Sequence, residues 1–246
     1  MDNIFAATTF DWDHRWPNHW QRRANGVLER FRVPARLGPP APVLANVENR
    51  MNLFFLAEQT AAYGVPGDVC DIGCNAGEST IVLQTVVTRL APDKVVHAYD
   101  SFEGLPAIGP VDARDGIYKQ GSMVADVEVF KTRFDSLALT MPVIHQGWFE
   151  ETIPRGLPDR ISFCAIDGDL YSSTKHVLPH VYERMSPGAI GVFNVYSDRS
   201  KLDRQVAKYY LSPGVKRAAD EFFSNKPEKV DLLYSGEYTN GYFRKK

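Results

Sequence analysis

Cysteine is scarce in this sequence, and the few that occur do not have the spacing of a metal site or a disulfide framework. Cys70, Cys74 and Cys164 are odd in number, form no C-x-x-C pair and lie in or beside apolar segments. We therefore expect packed thiols in a reducing compartment. The sequence also has no apolar run of about eighteen residues, and residues 1–16 carry acids and tryptophans where a secretory leader would carry a basic start. These absences predict a cytoplasmic protein with no membrane partner.

A large excess of charge of either sign is also missing. The chain has 28 Lys and Arg against 30 Asp and Glu, a formal net charge of -2, so we expect no nucleic-acid partner and a small-molecule ligand. Its 246 residues, 44% of them hydrophobic, are enough for one large α/β domain. Residues 1–45, rich in tryptophan and proline, are interpreted as an N-terminal extension, and residues 46–246 as the domain itself.

The most informative pattern is a glycine turn that follows an apolar strand. Residues 68–77 contain D-x-G-x-x-x-G, with Asp71, Gly73 and Gly77, and a second apolar strand ends at Asp100. Gly73 allows a sharp turn and Gly77 a close helix, so that a nucleotide-like ligand can lie against main chain while Asp100 accepts ribose hydroxyls. The spacing differs from the dinucleotide G-x-G-x-x-G. It favours S-adenosylmethionine (SAM) over NAD, and a turn that serves packing alone is the other interpretation.

Strand and helix patterns alternate along the domain, which predicts an α/β fold with a mostly parallel sheet and helices on both faces. A helix over residues 49–63 precedes the first strand, and residues 229–234 and 238–243 predict a C-terminal antiparallel hairpin. The remaining predicted strands are 68–72, 95–99, 142–146, 161–166 and 189–194, and the remaining predicted helices are 77–90, 125–137 and 173–185.

Acidic residues follow another apolar strand, residues 161–166. Asp167 lies where open α/β sheets bind ligands, so it is a candidate both for binding a hard cation and for taking a proton from a substrate hydroxyl. Two roles are open for Asp169: a second cleft carboxylate, or the cap of the next helix. The following strand reaches Asn194, a weak neutral oxygen ligand.

Several longer strings resemble the macrocin O-methyltransferase (TylF) family over about residues 44–200. They are Asn49 to Leu53, Gly64 to Asp68, Asp71 to Gly73, Tyr99 to Pro106, Gly147 to Glu150 and Asp167 to Tyr171. The resemblance implies a Rossmann-like class I methyltransferase fold and SAM-dependent transfer of a methyl group to a sugar or aromatic hydroxyl of an antibiotic or related metabolite, often with magnesium.

The resemblance also implies roles for individual residues in binding the cofactor. Asp71 is expected near the methionine amino group and Ser79 near the methionine carboxylate. Gly73 and Gly77 would line the cofactor cleft. The residues expected to hold the ribose are Asp100 and Ser101, and Ser122 is expected to border the adenine.

One departure from the family pattern concerns the metal. Members usually carry two adjacent aspartates after the next strand, where this chain has Asn194 and Val195. Losing two anionic ligands weakens a magnesium site built on Asp167 and Asn194. Three possibilities stay open: O-methylation without metal, N-methylation of a small amine, and a methyltransferase fold without methylation activity.

Two further expectations concern catalysis and assembly. Asp167 is the first candidate for the general base, and His176, at the start of the following helix, is the second. Trp12, Trp16 and Trp20 of the N-terminal extension could form a lid over the acceptor, a contact in a homo-oligomer, or a helix packed on its own domain.

Overall fold

A computed structural model describes residues 47–113, 118–196, 213–235 and 238–246, together with a few residues between 23 and 33. The predicted boundary at residue 45 and the three N-terminal tryptophans therefore lie outside the described residues. Among the helices that are described, none is long and apolar enough to cross a bilayer.

The described strands form one sheet of seven, in the order β3-β2-β1-β4-β5-β7-β6. The first five in chain order pair in parallel, whereas β7 runs antiparallel to both β5 and β6. This arrangement confirms the predicted mostly parallel sheet with a C-terminal antiparallel hairpin. The strands are β1 (Asp68–Ile72), β2 (Val96–Asp100), β3 (Val143–Gln146), β4 (Ile161–Ile166), β5 (Met185–Phe193), β6 (Asp231–Ser235) and β7 (Tyr238–Arg244).

Helices cover both faces of the sheet. Successive side chains of a strand point to opposite faces, so an entirely apolar strand such as β4 presents apolar side chains that must be covered on each face. Phe163 packs with α1 and α2, whereas Cys164 packs with α4, α5 and α6. The helix α3 extends the first of these layers, since Phe130 and Phe134 pack against Ile81. The helices are α1 (Val47–Ala62), α2 (Glu78–Leu90), α3 (Val127–Ser136), α4 (Phe149–Gly156), α5 (Tyr171–Arg184) and α6 (Pro213–Phe223).

Two helices were not predicted from the sequence, and the start of β5 differs most from its predicted boundary. The sequence analysis assigned no helix to α4 or α6, and β5 begins at Met185, four residues before the predicted 189. The strand runs through Pro187 and Gly188, with Gly188 at a φ of 86° and an irregular register against β4. α5 begins at Tyr171, two residues earlier than predicted.

The strand order determines where in the fold the candidate site lies. Chain order reverses between β1 and β4, which are direct neighbours in the sheet, and a crevice opens at such a point beyond the carboxyl ends of the strands. Because β1, β2, β4 and β5 all end at this edge, the residues that end or directly follow them come together there. Those residues are Gly73, Asp100, Asp167 and Asn194.

Candidate active site

A cleft lies at this edge, and its walls come from the turns after five strands. The side of the cleft next to β1 and β2 includes Gly73, Asn75, Ser79, Asp100 and Ser101. The lining also includes residues from the turns after β3, β4 and β5 and from the segment after β2, namely Leu105, Pro106, Tyr118, Trp148, Phe149, Asp167, Asp169, Asn194 and Val195.

The two glycines of the turn have different roles. Gly73 lines the cleft at a φ of 90°, and a side chain there would clash with the backbone carbonyl of Asp167. Gly77, at a φ of 89°, is not among the cleft-lining residues, and an added Cβ would lie 2.8 Å from the Phe130 ring. Gly73 thus lets β1 and β4 meet, and Gly77 lets α2 pack against α3. A cofactor contact by Gly77 stays a prediction.

Asp71 lies behind the wall of the cleft. The residue is fully buried, and its Oδ2 accepts hydrogen bonds from the hydroxyls of Ser79 (2.7 Å) and Thr80 (2.5 Å). Its Oδ1 has no hydrogen-bond partner among the described residues. Burial raises the pKa of Asp71 to about 6, against the lowering effect of the two hydroxyls. Asp71 therefore anchors the first turn of α2, and its expected contact with the cofactor amino group stays a prediction.

Asp100 lines the cleft with its carboxylate held in place. Its Oδ2 accepts from the amide of Asn75 and its Oδ1 from the amide of Phe102, both at 2.8 Å. Burial raises the pKa of Asp100, and these amides oppose that rise. Each carboxylate oxygen has a further lone pair, so the group can accept hydrogen bonds from two hydroxyls of a ligand.

Ser101, predicted to hold the ribose, and Ser122, predicted to border the adenine, lie in different places. Ser101 lines the cleft, and its hydroxyl accepts from the amide of Glu103 at 3.1 Å. Ser122 is outside the lining, and its hydroxyl donates to the carbonyl of Lys119 at 2.7 Å. Its neighbour Met123 reaches the cleft instead, with a carbonyl that accepts from the Asn75 side chain.

The residues at the expected metal position do not fit a hard cation. The Asn194 side chain donates a hydrogen bond to Asp167 Oδ2 at 2.6 Å, so this carboxylate oxygen already accepts from a neutral N–H donor. Val195 follows, buried and without an oxygen in its side chain. No group of three or more His, Cys, Asp or Glu side chains with metal-site geometry occurs within the described ranges.

A second carboxylate, Asp169, faces the same cleft. It adopts a left-handed backbone conformation with a φ of 55°, and its Oδ1 accepts a hydrogen bond from the Tyr118 hydroxyl at 3.1 Å. Burial raises the pKa of Asp169 to about 6, while the Tyr118 hydrogen bond lowers it. Burial raises the pKa of Asp167 well above its ordinary value, with a further rise from the nearby charge of Asp169.

Asp169 does not cap α5, which is one of the two roles that the sequence left open. The amide of Tyr171, the first residue of the helix, donates instead to both carboxylate oxygens of Asp112 at 3.1 Å. Asp112 is 59 residues away along the chain, so no local pattern indicates this contact. Sequence reasoning missed both Asp112 and the pairing of Asp169 with Tyr118.

The four histidines among the described residues do not line the cleft. His176 is on α5 but is not a lining residue, and its ring centroid is 5.3 Å from that of His180. Its role as second candidate base stays a prediction without support from this geometry. His97 and His145 hydrogen-bond to each other at 3.0 Å between β2 and β3, and burial lowers the pKa of both.

Two aromatic residues of the cleft were not assigned a role from the sequence. Trp148 precedes α4 and Phe149 begins it, and both line the cleft next to the turn after β3. The sequence signal that could have identified Trp148 and Phe149 as cleft residues is an aromatic pair shortly after a strand. Aromatic side chains at the carboxyl edge of a sheet can cover the flat face of a bound ring.

The sheet order, the glycine turn with an acid at the tip of the next strand, and the antiparallel C-terminal pair together define a Rossmann-like class I methyltransferase. The family model of macrocin O-methyltransferase (TylF) matches residues 21–221. The chain belongs to this family, and it is therefore a methyltransferase enzyme.

Named relatives and solved structures agree with this assignment. The 8-demethyl-8-(2,3-dimethoxy-α-L-rhamnosyl)-tetracenomycin-C 4'-O-methyltransferase of Streptomyces olivaceus is 30% identical over 177 residues, which cover 67% of each chain. The structure of the O-methyltransferase NovP superposes with a TM-score of 0.71 at 22% identity, covering 85% of this chain and 84% of NovP. TomG from Streptomyces achromogenes, solved in complex with SAM, gives a TM-score of 0.53 at 14% identity over 98% of this chain and 93% of TomG.

Proposed function

We propose that this enzyme transfers the methyl group of SAM to a hydroxyl of a small secondary metabolite, on a sugar or an aromatic ring, without a metal ion. The observation that supports the proposal is a single cleft lined by both Asp100 and the hydrogen-bonded Asp167–Asn194 pair. In this proposal Asp100 contacts the cofactor and the Asp167–Asn194 pair lies next to the acceptor. Support for O-methylation comes from the family, and the 4'-hydroxyl of a rhamnosyl group is the acceptor named for one relative.

SAM would lie along the glycine turn, with its ribose hydroxyls on Asp100 and its adenine toward Met123. The sulfonium is a cation, and the described lining contains the carboxylates of Glu78, Asp100, Glu150, Asp167 and Asp169 but no lysine, arginine or histidine. Such a cleft favours the charged cofactor over its neutral product S-adenosylhomocysteine. This preference helps to release the product after transfer.

The reaction is an in-line displacement in which the acceptor oxygen bonds to the methyl carbon as the carbon–sulfur bond breaks and its electron pair returns to sulfur. Holding the two atoms close in a water-poor cleft supplies most of the acceleration. The acceptor proton must go to a base. Asp169 is better suited than Asp167, because its pKa of about 6 leaves it ionised at neutral pH, whereas Oδ2 of Asp167 already accepts from Asn194.

Asp167 then has a positioning role. Its amide donates to the carbonyl of Ile72 at 2.8 Å and its carboxyl holds Asn194, so it ties the ends of β1, β4 and β5 together beneath the acceptor. In a metal-dependent relative a cation would orient the acceptor hydroxyl. Here that orientation would come from the Asp169 carboxylate and from the walls formed by Tyr118 and Val195.

The test is transfer of labelled methyl from SAM to the rhamnosylated tetracenomycin acceptor named for the relative, with and without EDTA. We expect equal rates in both conditions, a rate that falls below about pH 6, and a loss in Asp169→Asn on the order of 100-fold or more in kcat. Asp135→Asn, a change at an exposed site on α3, is the matched control. Loss of activity in EDTA with recovery in Mg²⁺ would contradict the metal-free mechanism.

N-methylation of an amine is the second candidate, and the acidic lining favours it because an ammonium form would be attracted to the cleft. The same assay with an aminosugar glycoside distinguishes the two. Faster transfer to nitrogen than to oxygen, with no loss in Asp169→Asn, would favour the amine.

A further inference from the structure

Asp169 lies at the centre of a strained turn shortly after β4. Its φ is 55°, a left-handed value, and the amide of Leu170 donates to the carbonyl of Gly168 across it at 2.5 Å. A hydrogen bond between residues i+2 and i closes a γ-turn, and a γ-turn with a positive φ at its centre is the rare, strained form. Strain of this kind persists only where the surrounding structure holds it. Contacts of the Asp169 side chain and of its neighbours must therefore stabilise the turn.

Tyr118 supplies such a contact from a distant part of the chain. Its hydroxyl donates to Asp169 Oδ1 at 3.1 Å, across 51 residues of sequence. The residue is only 8% exposed, and it belongs to one apolar cluster with Leu105 and Leu170. Because Leu170 directly follows Asp169, both the ring and the hydroxyl of Tyr118 act on this turn. The position of the hydroxyl is therefore fixed by packing.

The hydrogen bond from Tyr118 uses one oxygen of the carboxylate and leaves the other. Among the described residues, Asp169 Oδ1 accepts from Tyr118, and no donor bonds to Oδ2. Asp169 and Tyr118 both line the cleft. A carboxylate held through one oxygen has a defined orientation, and its second oxygen keeps its lone pairs for a hydroxyl group in the cleft.

We propose that Tyr118 is a positioning residue for methyl transfer, whose hydroxyl orients Asp169 so that Oδ2 can receive the proton of the acceptor. The inference rests on the base assigned to the reaction under the proposed function. In this step the acceptor oxygen bonds to the methyl carbon of SAM and gives its proton to Oδ2, while the electron pair of the carbon–sulfur bond returns to sulfur. The products are the methyl ether, S-adenosylhomocysteine and protonated Asp169, which then returns its proton to water. Tyr118 keeps its own proton throughout.

The hydroxyl should matter for the rate of the reaction and not for binding. Without it, the Asp169 carboxylate would lose its hydrogen bond and could rotate away from the orientation that suits proton transfer. Proximity and orientation supply much of the acceleration in such a step, so a small misplacement of the base lowers kcat. The affinities for cofactor and acceptor depend on the rest of the cleft and should stay the same.

The test is Tyr118→Phe, which keeps the ring and removes only the hydroxyl. With labelled SAM and the rhamnosylated tetracenomycin acceptor, kcat should fall on the order of 10-fold, while the acceptor KM and the dissociation constant of S-adenosylhomocysteine change by less than about twofold. Tyr63→Phe, at a tyrosine that is 75% exposed, is the matched control and should change none of these values. An unchanged kcat in Tyr118→Phe would overturn the proposal.

Two other results in Tyr118→Phe would overturn the positioning role as well. A raised acceptor KM at an unchanged kcat would show that the hydroxyl binds the acceptor directly. Loss of S-adenosylhomocysteine binding, measured by calorimetry, would show that the hydroxyl serves the fold of the cleft and not the orientation of one carboxylate.

A double variant tests whether Tyr118 acts through Asp169. In an Asp169→Asn background, Tyr118→Phe should lower kcat by less than about twofold, because the base that it orients is already absent. A loss on the order of 10-fold in both backgrounds would show that the two residues act independently, which would overturn the proposal.

Failure of the proposed function gives a different pattern. A wild type that transfers no methyl group to this acceptor, or an Asp169→Asn variant as fast as the wild type, would contradict the proposed reaction or its base. An active wild type with a slow Asp169→Asn and a fast Tyr118→Phe would overturn only the role of Tyr118.

Discussion

The Asp100 carboxylate is held by the backbone and keeps lone pairs that a ligand could use. Because two amides hold this carboxylate, replacement by alanine would remove the proposed ribose acceptors and would also loosen the turns at Asn75 and Phe102. We expect the dissociation constant of S-adenosylhomocysteine to rise on the order of 30-fold in Asp100→Ala. Calorimetry measures this, and Asp93→Asn, at an exposed site, is the control. An unchanged constant would remove Asp100 from the cofactor site.

Asp71 gives a pH-dependent prediction for stability. Its pKa in the folded protein is about 6, above the ordinary value of 3.8, so folding favours its protonated form. The charged form opposes folding above pH 6, and this penalty is relieved as the pH falls from 6 toward 4. Relative to Asp71→Asn, the wild type should therefore gain about 2 kcal/mol between pH 7 and pH 4.5.

Urea unfolding of both proteins across this pH range measures the difference. The comparison with Asp71→Asn isolates the one carboxyl, because the other buried acids and the His97–His145 pair titrate in both proteins. Parallel stability curves for the two proteins would show that Asp71 has an ordinary pKa in the fold.

Among the helices, α5 depends on a residue outside its own segment. Asp112 is 3% exposed and satisfies the first amide of the helix. Asp112→Ala should destabilise the protein by about 1 to 2 kcal/mol, whereas Asp112→Asn keeps an acceptor oxygen and should cost less. Urea unfolding gives both values. Equal losses in the two variants would point to the charge of Asp112 as the stabilising feature.

Gly214→Ala offers an independent check on the same contact. A side chain at Gly214, on the first turn of α6, would clash with the Asp112 carboxylate. The same side chain would also lie 2.8 Å from the amide nitrogen of Tyr171. Alanine favours helices over glycine, so a loss of stability in Gly214→Ala would run against helix propensity and would point to the crowded Asp112–Tyr171 contact as its cause.

The strands that the sequence predicted well are those with continuous apolar runs. β1 and β4 have the predicted bounds, because both are buried on two faces and are followed by glycine or aspartate turns. α6 was missed, although Pro213 at its first turn and the spacing of Val215, Ala218, Ala219 and Phe223 are helix signals. α4 has only eight residues, one of them Pro154, and is stabilised by tertiary contacts.

The candidate site was predictable only where the chemistry follows strand ends. Gly73, Asp100, Ser101, Asp167 and Asn194 come together because parallel strands end at one edge. The Tyr118–Asp169 and Asp112–Tyr171 contacts join segments more than 50 residues apart, so they depend on how the segment after β2 folds back over the sheet. Propensity and spacing carry no information about such a contact.

For the molecule as a whole, ligand binding should be visible as stability, because the crevice lies between the two halves of the sheet. S-adenosylhomocysteine at 100 times its dissociation constant should add about 2.7 kcal/mol, which raises the Tm by several degrees in a chain of this size. NAD at the same concentration should cause no shift. A shift with NAD alone would favour an oxidoreductase.

The N-terminal tryptophans and the assembly state stay predictions. If Trp12, Trp16 and Trp20 cover the acceptor, their joint replacement by alanine should raise the acceptor KM and leave cofactor affinity unchanged. If they form a subunit contact, sedimentation should instead show a smaller particle.

The contact between Gly73 and Asp167 limits how this enzyme can be redesigned. Since the backbone of the turn after β1 touches the backbone that starts the turn after β4, neither turn can be exchanged with a relative's as an independent module. A graft that changes acceptor choice should therefore carry both turns from one donor, or leave this junction intact and vary the walls at Leu105 and Val195.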